Sequence, residues 1–351
     1  MQTLNGPGVF LAQFMTPEAP FDRLDTLAAW AADKGFAAVQ LPTFNSQIFD
    51  LEQAAASDAY CQEVKGLLAG HGLVISELST HRQGHVLGSH PIYGEILDVF
   101  LPAAARGRPA ARMAWATDQL LKAAQATRRL GLTRHVTMSG GLAWPFLYPY
   151  PPRPAGLVAE AFQELARRWR PILDAFDAAG ATLGFELHPG EDVHDGVSFE
   201  RFLVATGNHN RLGILYDPSH LFLQHIDYAG FIDVYQARII AFHVKDAEWN
   251  PSPKTGVYAG YVDWLDRAGR FRSLGDGDID FKLIFSKLAQ LGYTGWASLE
   301  WECCLKHPED GARQGARFIR DHIIRVQARQ FDAGMQGDSS TARNRRLLGI
   351  A

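Results

Sequence analysis

Cysteine is scarce in this sequence, which contains three among its 351 residues. Cys303 and Cys304 are adjacent and cannot form an unstrained disulfide with each other, so a disulfide-built secreted domain is excluded and a reducing compartment is expected. The sequence also lacks any run of about 18 apolar residues, and its first residues lack the basic-then-apolar order of a signal peptide. We therefore expect a cytoplasmic protein without a membrane partner.

Basic residues are fewer than acidic ones, and the local basic runs at 167–170 and 343–346 are explained as solvated faces. The formal net charge is −4 and the isoelectric point is near 6.3. Because binding to nucleic acid generally needs a basic face, nucleic acid is not expected as a partner. Apolar residues make up 47% and charged residues 21%, which is typical of a globular protein with a full core. We expect one catalytic domain over residues 1–330, followed over residues 331–351 by a polar tail or oligomer contact.

Short apolar runs recur along the chain, each flanked by glycine, proline or polar residues. Such runs are typical of parallel strands that are buried on both faces. The predicted strands are residues 9–14, 37–41, 73–78, 135–138, 182–187, 212–216, 239–244 and 296–301. Helical patterns lie between them, and several end at a glycine, as helix C-termini commonly do. Eight repeats of strand and helix predict a single-domain α/β fold, the (β/α)₈ TIM barrel.

An open, doubly wound sheet is the alternative fold that the same alternation permits. That fold usually carries a glycine-rich phosphate loop after its first strand, whereas this chain has Gln13, Phe14, Met15 and Thr16 there. Three strand-to-helix segments are long, at residues 79–112, 139–156 and 246–280. In a barrel these segments lie on the catalytic face, so specificity is expected to reside in them.

Four residues that bind metals well lie at the C-terminal ends of the last four predicted strands: Glu186, Asp217, His243 and Glu300. A buried carboxylate is costly unless it is paired or bound to a metal. The C-terminal ends of barrel strands meet at one mouth, so these side chains are predicted to converge. Three carboxylates and one imidazole favour Mn²⁺ or Mg²⁺ over a structural zinc, with manganese preferred and another divalent metal left open.

Unrelated ion pairs or helix caps would explain single members of this set, and Asp217 before Pro218 is a possible cap. The joint pattern on consecutive strands favours the metal site. Strand alternation places Glu300 and Glu302 on the same face, so either is a possible ligand. Glu300 is deeper in the apolar run and is the predicted ligand, which leaves Glu302 as a substrate contact or a hydrogen-bond partner of a ligand.

Further polar residues surround the predicted ligands. His188 lies two residues after Glu186 and shares its inward face, so it is the predicted general base. His220 and Lys245 follow two of the predicted ligands, and they are expected either to bind substrate hydroxyls or to pair with each other.

Residues after the third and fourth strands are expected to form a polar edge and an aromatic wall for a sugar-like ligand. His81, Gln83 and Trp144 are the candidates there, and Arg272 in the long 246–280 segment is a further substrate-binding candidate.

With these residues identified, the sequence resembles the xylose-isomerase-like barrel superfamily, the sugar phosphate isomerase/epimerase proteins, from about Val9 to Gln330. The most specific segments are Phe185–Pro189, Asp217–His220, Phe242–Asp246, Leu274–Phe281 and Gly295–Glu302. Within the superfamily, His188 after Glu186, the Ser139–Gly141 turn and the long 246–280 loop resemble the catalytic alpha subunits of bacterial C-glycoside deglycosidases.

The resemblance implies a Mn²⁺-dependent enzyme of carbohydrate metabolism that removes a proton next to a carbonyl and stabilises the resulting enediolate. The narrower match implies a carbon–carbon lyase that eliminates the aglycone from 3-oxo-C-glucosides. His188 would be the base, and His81 or His220 the acid. It also implies a hetero-oligomer with a small β-rich partner subunit, and a homo-oligomer is the other assembly considered.

The lyase has three alternatives, of which the second is disfavoured. A sugar or inositol isomerase, epimerase or dehydratase would use the same metal site. Ketohexose 3-epimerases use a second glutamate early in the chain, with which Glu77 is comparable. DNA-repair endonucleases that share the barrel use more metal-binding histidines and a basic groove, and this chain has neither. A non-catalytic sugar-binding barrel is the third alternative.

Overall fold

The computed structural model describes residues 3–327, 331–333, 335, 337 and 340–350, and it contains a closed barrel of parallel strands. The barrel strands are β1 (Asn5–Phe10), β2 (Ala38–Pro42), β3 (Val74–Ser79), β4 (Arg134–Thr137), β5 (Thr182–Glu186), β6 (Leu212–Tyr216), β7 (Ile239–Val244) and, after a two-stranded ribbon, β10 (Trp296–Leu299). Their order around the barrel follows the chain, and β10 closes it against β1 and β7. The predicted (β/α)₈ fold is confirmed.

Helices follow the strands, and the longer ones cover the outside of the barrel. They are α1 (Leu24–Lys34), α2 (Leu51–Ala56), α3 (Asp58–Gly70), α4 (His81–Leu87), α5 (Pro109–Leu130), α6 (Leu157–Ala178), α7 (Gly196–Ala205), α8 (Pro218–Leu223), α9 (Tyr228–Tyr235), α10 (Phe281–Gln290), α11 (Pro308–His322) and α12 (Thr341–Leu347). The main apolar core lies between the barrel and these helices, where Trp169 and Phe176 of α6 and Phe185 of β5 are fully buried.

The segment after β3 is more ordered than its sequence predicts. It contains α4, which packs directly on the end of β4, and a Cβ built on Gly84 would lie 2.2 Å from the carbonyl oxygen of Met138. Only a residue without a side chain fits this distance, so Gly84 fixes how closely α4 approaches the barrel mouth. His81 and His85, one helical turn apart on α4, are thereby placed at the mouth.

The long segment after β7 contains a ribbon of two antiparallel strands, β8 (Asp246–Trp249) and β9 (Gly269–Arg272). The buried Asp246 carboxylate accepts hydrogen bonds from the backbone N–H groups of Gly275 at 2.9 Å, Gly277 at 3.0 Å and Ile279 at 3.3 Å. One side chain at the start of the loop therefore holds the loop's far end against the barrel.

The C-terminal region is described only in part. The boundary predicted after residue 330 falls outside the described residues, as do positions 334, 336, 338, 339 and 351 of the predicted tail. The described part of that tail contains the short helix α12, which has no buried residue. In the part of the chain that the structure describes, no helix is long and apolar enough to span a membrane. Cys61, Cys303 and Cys304 are all free thiols.

Candidate metal centre and active site

The fold brings together the four residues that the sequence predicts as metal ligands. Glu186 ends β5, Asp217 follows β6, His243 lies near the end of β7, and Glu300 follows β10. One potential ligand atom from each of the four lies within 4.8 Å of the others, and all four residues are buried. Glu302, the alternative to Glu300, is outside this group, and its side chain is 35% exposed, compared with 5% for Glu300.

Two carboxylate oxygens in this cluster lack the hydrogen bonds that buried oxygens require. Among the described residues, Oε1 of Glu186 and Oδ2 of Asp217 are buried without a hydrogen-bond partner, although His220 Nε2 lies 3.2 Å from the first and Lys245 Nζ 3.1 Å from the second. Leaving a buried carboxylate oxygen without such a partner costs free energy. A divalent cation coordinated by both oxygens would offset that cost, so the donor set fits a metal that prefers oxygen ligands.

A chain of hydrogen bonds from the barrel interior orients His243. Its Nε2 lies 3.1 Å from Oε1 of Gln40, and Nε2 of Gln40 lies 3.5 Å from Oε2 of the buried Glu77. Because the Gln40 oxygen only accepts, Nε2 of His243 carries a proton and Nδ1 is the nitrogen that faces the cluster, 3.0 Å from Glu300. Burial alone would lower the pKa of His243, but the charges of Glu300 and Glu186 raise it to about 10.

Lys245 lies inside the cluster. Its ammonium is 2.7 Å from Glu300, 3.1 Å from Asp217 and 3.1 Å from Glu302. Burial lowers the pKa of Lys245, but the surrounding carboxylates raise it well above its usual range, so the side chain is cationic. Lys245 therefore balances part of the negative charge of the cluster.

The three predicted catalytic histidines all lie at the cluster. His81 Nε2 is 2.8 Å from Oε2 of Glu186, and its Nδ1 is hydrogen-bonded to the Ser79 hydroxyl. His220 Nε2 lies 3.2 Å from Glu186 and 3.0 Å from the Lys245 ammonium. Burial raises the pKa of Glu186, but the neighbouring His220, His243 and His81 lower it well below its usual range, so this carboxylate is ionised.

His188 lies next to the cluster and contacts none of the four predicted ligands through a described hydrogen bond. Its ring centroid is 4.1 Å from that of His220, and its Nδ1 is 2.5 Å from the carbonyl oxygen of Pro189. Since a carbonyl only accepts, Nδ1 carries the proton and Nε2 holds a free electron pair. Burial, followed by the charge of His220, lowers the pKa of His188 well below its usual range, which keeps the ring neutral.

The remaining predicted substrate-binding residues are spread around the mouth. Gln83 is fully buried and donates to the Thr43 hydroxyl at 3.0 Å. The Trp144 ring contacts His194, with 5.1 Å between the ring centroids. Arg272 in β9 pairs with Glu248 across the ribbon. These contacts hold local structure in place, and the assignment of the three residues to substrate binding remains a prediction.

Several residues at the site were not predicted from the sequence. Gln13 donates to Oε1 of Glu300 at 2.9 Å, and Gln40 contacts His243. The signal for Gln40 was present, since it is the one polar residue within the apolar run 37–41. His85 and Glu191, whose Nδ1 and Oε1 atoms are 2.5 Å apart, form a further pair at the mouth. Their separation of 106 positions in the sequence left no local pattern to find.

Fold and site together define a class of protein, the TIM barrels with a buried carboxylate–imidazole cluster at the C-terminal mouth of the strands. Residues 28–322 match the family model described as "Xylose isomerase-like TIM barrel". Since the match covers most of the chain, the protein belongs to that family, as its sequence motifs suggested.

Curated relatives match over a shorter region. An inosose dehydratase of Lactiplantibacillus plantarum is 26% identical over 147 residues, which cover 41% of this chain and 49% of the relative. The rhizopine catabolism protein MocC of Rhizobium meliloti is 28% identical over 148 residues, which cover 42% and 44%. The chain thus spans about half the length of the curated relatives it matches.

Solved structures share the fold over nearly the whole chain. An L-ribulose 3-epimerase superposes with a TM-score of 0.60 at 17% identity, covering 99% of both chains. A 3-keto-D-glucoside 4-epimerase of E. coli superposes with a TM-score of 0.60 at 14% identity, covering 90% of this chain and 98% of the other. The chain is thus similar to sugar isomerases, epimerases and dehydratases, and its site is suited to a divalent metal.

Proposed function

We propose that the protein is a metal-dependent lyase that acts on a six-membered ring sugar carrying a ketone. It removes the proton next to the ketone and expels the substituent on the following carbon. The observation that carries the proposal is His188, whose ring lies 4.1 Å from that of His220 at the cluster and whose Nδ1 is hydrogen-bonded to the Pro189 carbonyl, which leaves Nε2 to accept a proton. A base that is not itself a ligand is available to take a proton from a substrate bound over the cluster.

Glu186, Asp217, His243 and Glu300 would hold the metal. When bound there, a divalent cation would supply positive charge that stabilises the enediolate formed by loss of the proton next to the ketone. Manganese is the metal proposed, because three carboxylates and one imidazole suit it. Nε2 of His188 accepts the proton, and the cationic Lys245 bonds a hydroxyl or carbonyl oxygen of the sugar.

The preferred substrates are 3-oxo-C-glucosides, as expected for a C-glycoside deglycosidase. The ketone at C3 acidifies the proton at C2, and collapse of the resulting enolate breaks the bond from C1 to the aglycone. Loss of a carbon substituent is a harder step than loss of an oxygen substituent, so this substrate needs both the base and a proton donor for the departing atom.

A dehydratase acting on an inosose is the second candidate. It is supported by the curated relatives, which include inosose dehydratases at 26% to 29% identity. The chemistry begins in the same way, with proton loss next to a ring ketone, and differs in that hydroxide leaves as water. An isomerase or epimerase would return the proton to the sugar instead of expelling a group.

We also propose a partner subunit, or a second copy of this chain, on the catalytic face. The proposal is supported by exposed aromatic side chains in the long loops, where Tyr148 is 61%, Tyr258 75% and Trp264 48% exposed. The rings of Tyr148 and Tyr258 lie 6.0 Å apart, so the loops after β4 and β7 share this surface. Light scattering on the purified chain, alone and co-expressed with a small β-rich partner, tests this proposal.

The function is tested by metal analysis of the purified protein, followed by incubation with 3-oxo-C-glucosides, 3-oxo-O-glucosides and an inosose. Release of the aglycone with Mn²⁺, and loss of that release on chelation, are expected. Dehydration of the inosose without aglycone release would favour the second candidate. Interconversion of free ketoses, with no release from any glycoside, would overturn the lyase proposal.

A further inference from the structure

The two histidines predicted as the acid of this reaction are both engaged with metal ligands. His81 has both nitrogens occupied, by Glu186 and by Ser79. His220 Nε2 lies between Glu186 and the Lys245 ammonium. A proton donor for a departing group needs an N–H that reaches the substrate, so neither ring is well placed for that role.

A third histidine has the arrangement that a proton donor requires. His85 Nδ1 lies 2.5 Å from Oε1 of Glu191, a residue that is 2% exposed. The other carboxylate oxygen accepts from the Ser139 hydroxyl at 3.3 Å and from the backbone N–H of Gly140. Glu191 thus joins α4 to the turn after β4 and fixes the ring of His85 in one orientation. Since Nδ1 donates to the carboxylate, Nε2 is the nitrogen that exchanges protons.

His85 lies beside the reaction site and also reaches solvent. Its ring is edge-on to that of His188, with 6.4 Å between the centroids, and its side chain is 25% exposed. The base and His85 thus face the same space at the mouth, and solvent is available to replace the proton that His85 gives up. Gly84 holds the neighbouring backbone of α4 against β4, which fixes the distance of His85 from the mouth.

We propose that His85, oriented by Glu191, is the general acid that protonates the departing group. The inference rests on the proposed lyase function. His188 takes the proton from the carbon next to the ketone, and the electron pair of that C–H bond forms the ring double bond. The bond to the departing group then breaks, and its atom takes the proton from Nε2 of His85. Solvent returns a proton to His85 and removes one from His188, so the products are an unsaturated ketosugar and the protonated aglycone.

The electrostatic surroundings of His85 agree with this role. Burial lowers the pKa of His85, but the charge and the hydrogen bond of Glu191 outweigh it, and the pKa is raised above its usual range. The carboxylate therefore favours the imidazolium that a donor must be.

The test compares three substrates that differ in how much they need an acid. The 4-nitrophenyl 3-oxo-β-glucoside releases a stable phenolate without protonation, whereas methyl 3-oxo-β-glucoside and a 3-oxo-C-glucoside release poor leaving groups. The variants are His85→Gln, Glu191→Gln and, as a matched control, His71→Gln, which removes an exposed histidine next to the end of α3. Each is assayed for kcat with the metal-loaded protein.

Removal of a general acid is expected to lower kcat for the poor leaving groups by roughly 100-fold or more and for the nitrophenyl substrate by less than about tenfold. Glu191→Gln should show the same bias to a smaller extent, and His71→Gln none. Equal losses on all substrates, or no loss on any, would overturn the role of His85. A wild-type protein that releases no aglycone from any of them would instead overturn the proposed function.

Discussion

Gln40 accepts a hydrogen bond from Nε2 of His243 at 3.1 Å and thereby turns Nδ1 of that ring toward the carboxylates. The amide is held from the other side by Glu77, which is 3.5 Å away. Residues on β2 and β3 thus control a ligand on β7, across the barrel interior. Partners of this kind fix the tautomer of a ligating histidine and strengthen its bond to the metal.

Gln40→Leu should weaken metal binding without removing a ligand. Loss of an outer partner typically costs about 10- to 100-fold in metal affinity, and that range is expected here because the variant leaves the His243 tautomer unspecified. Titration calorimetry with Mn²⁺ measures the affinity. Gln119→Leu, which also loses a side-chain amide contact but lies on α5, is the control. Equal affinities in all three proteins would show that Gln40 does not orient the ligand.

His188→Asn should separate catalysis from metal binding. The side chain contacts no predicted ligand through a described hydrogen bond, so metal content and thermal stability should stay close to wild type. The rate of elimination should fall roughly 100- to 10,000-fold, the range expected for loss of a general base. Exchange of the substrate proton in deuterated water should fall with it. Full activity in a variant that still holds metal would exclude His188 as the base.

His135 makes stability depend on pH. Burial lowers its pKa from 6.5 to about 3, and both ring nitrogens contact threonine hydroxyls, at 2.9 Å for Thr80 and 3.0 Å for Thr127. The unfolded chain binds a proton that the folded protein excludes, so this contribution is complete above about pH 6.5 and is lost as the pH falls, by about 1.4 kcal/mol per pH unit.

This expectation is checked by urea unfolding of the wild type and of His135→Gln. The free energy of unfolding is measured at several pH values between about 7.5 and 5, a range that includes the ordinary pKa of histidine. The variant should be less stable at neutral pH but should lose less stability on acidification. His71→Gln should keep the wild-type slope. Identical slopes for His135→Gln and the wild type would mean that His135 is not the group responsible.

Gly84→Ala and Gly66→Ala form a matched pair of helical substitutions. A Cβ at Gly84 would collide with the Met138 carbonyl at 2.2 Å, whereas a Cβ at Gly66 in α3 meets nothing within 4 Å. Gly66→Ala should therefore stabilise the protein by about 0.5–1 kcal/mol, because alanine favours helix. Gly84→Ala should destabilise the protein and displace α4. Because α4 carries His81 and His85, the catalytic rate should fall as well. The free energy of unfolding and the catalytic rate are measured for both variants. Similar free energies of unfolding would contradict the prediction.

The sequence was sufficient for the barrel and for the clustering of the predicted ligands, because both depend on features that are local along the chain. Strands β6 and β7 have the predicted bounds, since each is an apolar run with clear ends. Strand β1 was predicted at 9–14 but spans Asn5–Phe10, because its first half includes two glycines and a proline rather than an apolar run, while Leu11–Gln13 form a 3₁₀ helix. Gly8 leaves room inside the strand for the Ser298 side chain of β10, whose hydroxyl oxygen would lie 2.7 Å from a Cβ at that position.

The parts that the sequence did not reveal depend on contacts between distant segments. Helix α4 lacks apolar periodicity and contains a glycine, so it was included in a long loop; its position depends on contact with β4. The pairing of β8 with β9 and the His85–Glu191 contact likewise join segments that are far apart in the chain. The pattern of residues in a short stretch of sequence does not reveal such contacts.

The hydrogen bonds of Asp246 hold the base of the long loop after β7, and the residues between β8 and β9 form its tip. The base is the β8–β9 ribbon, closed by a hydrogen bond between Asn250 N–H and the Ala268 carbonyl at 2.7 Å. The tip carries the exposed Tyr258 and Trp264. The Trp264 ring packs on Phe271 of β9 with 4.7 Å between the centroids, and the Lys245 ammonium lies 4.6 Å from the same Phe271 ring. A substitution in the tip is therefore expected to reach Lys245 through Phe271.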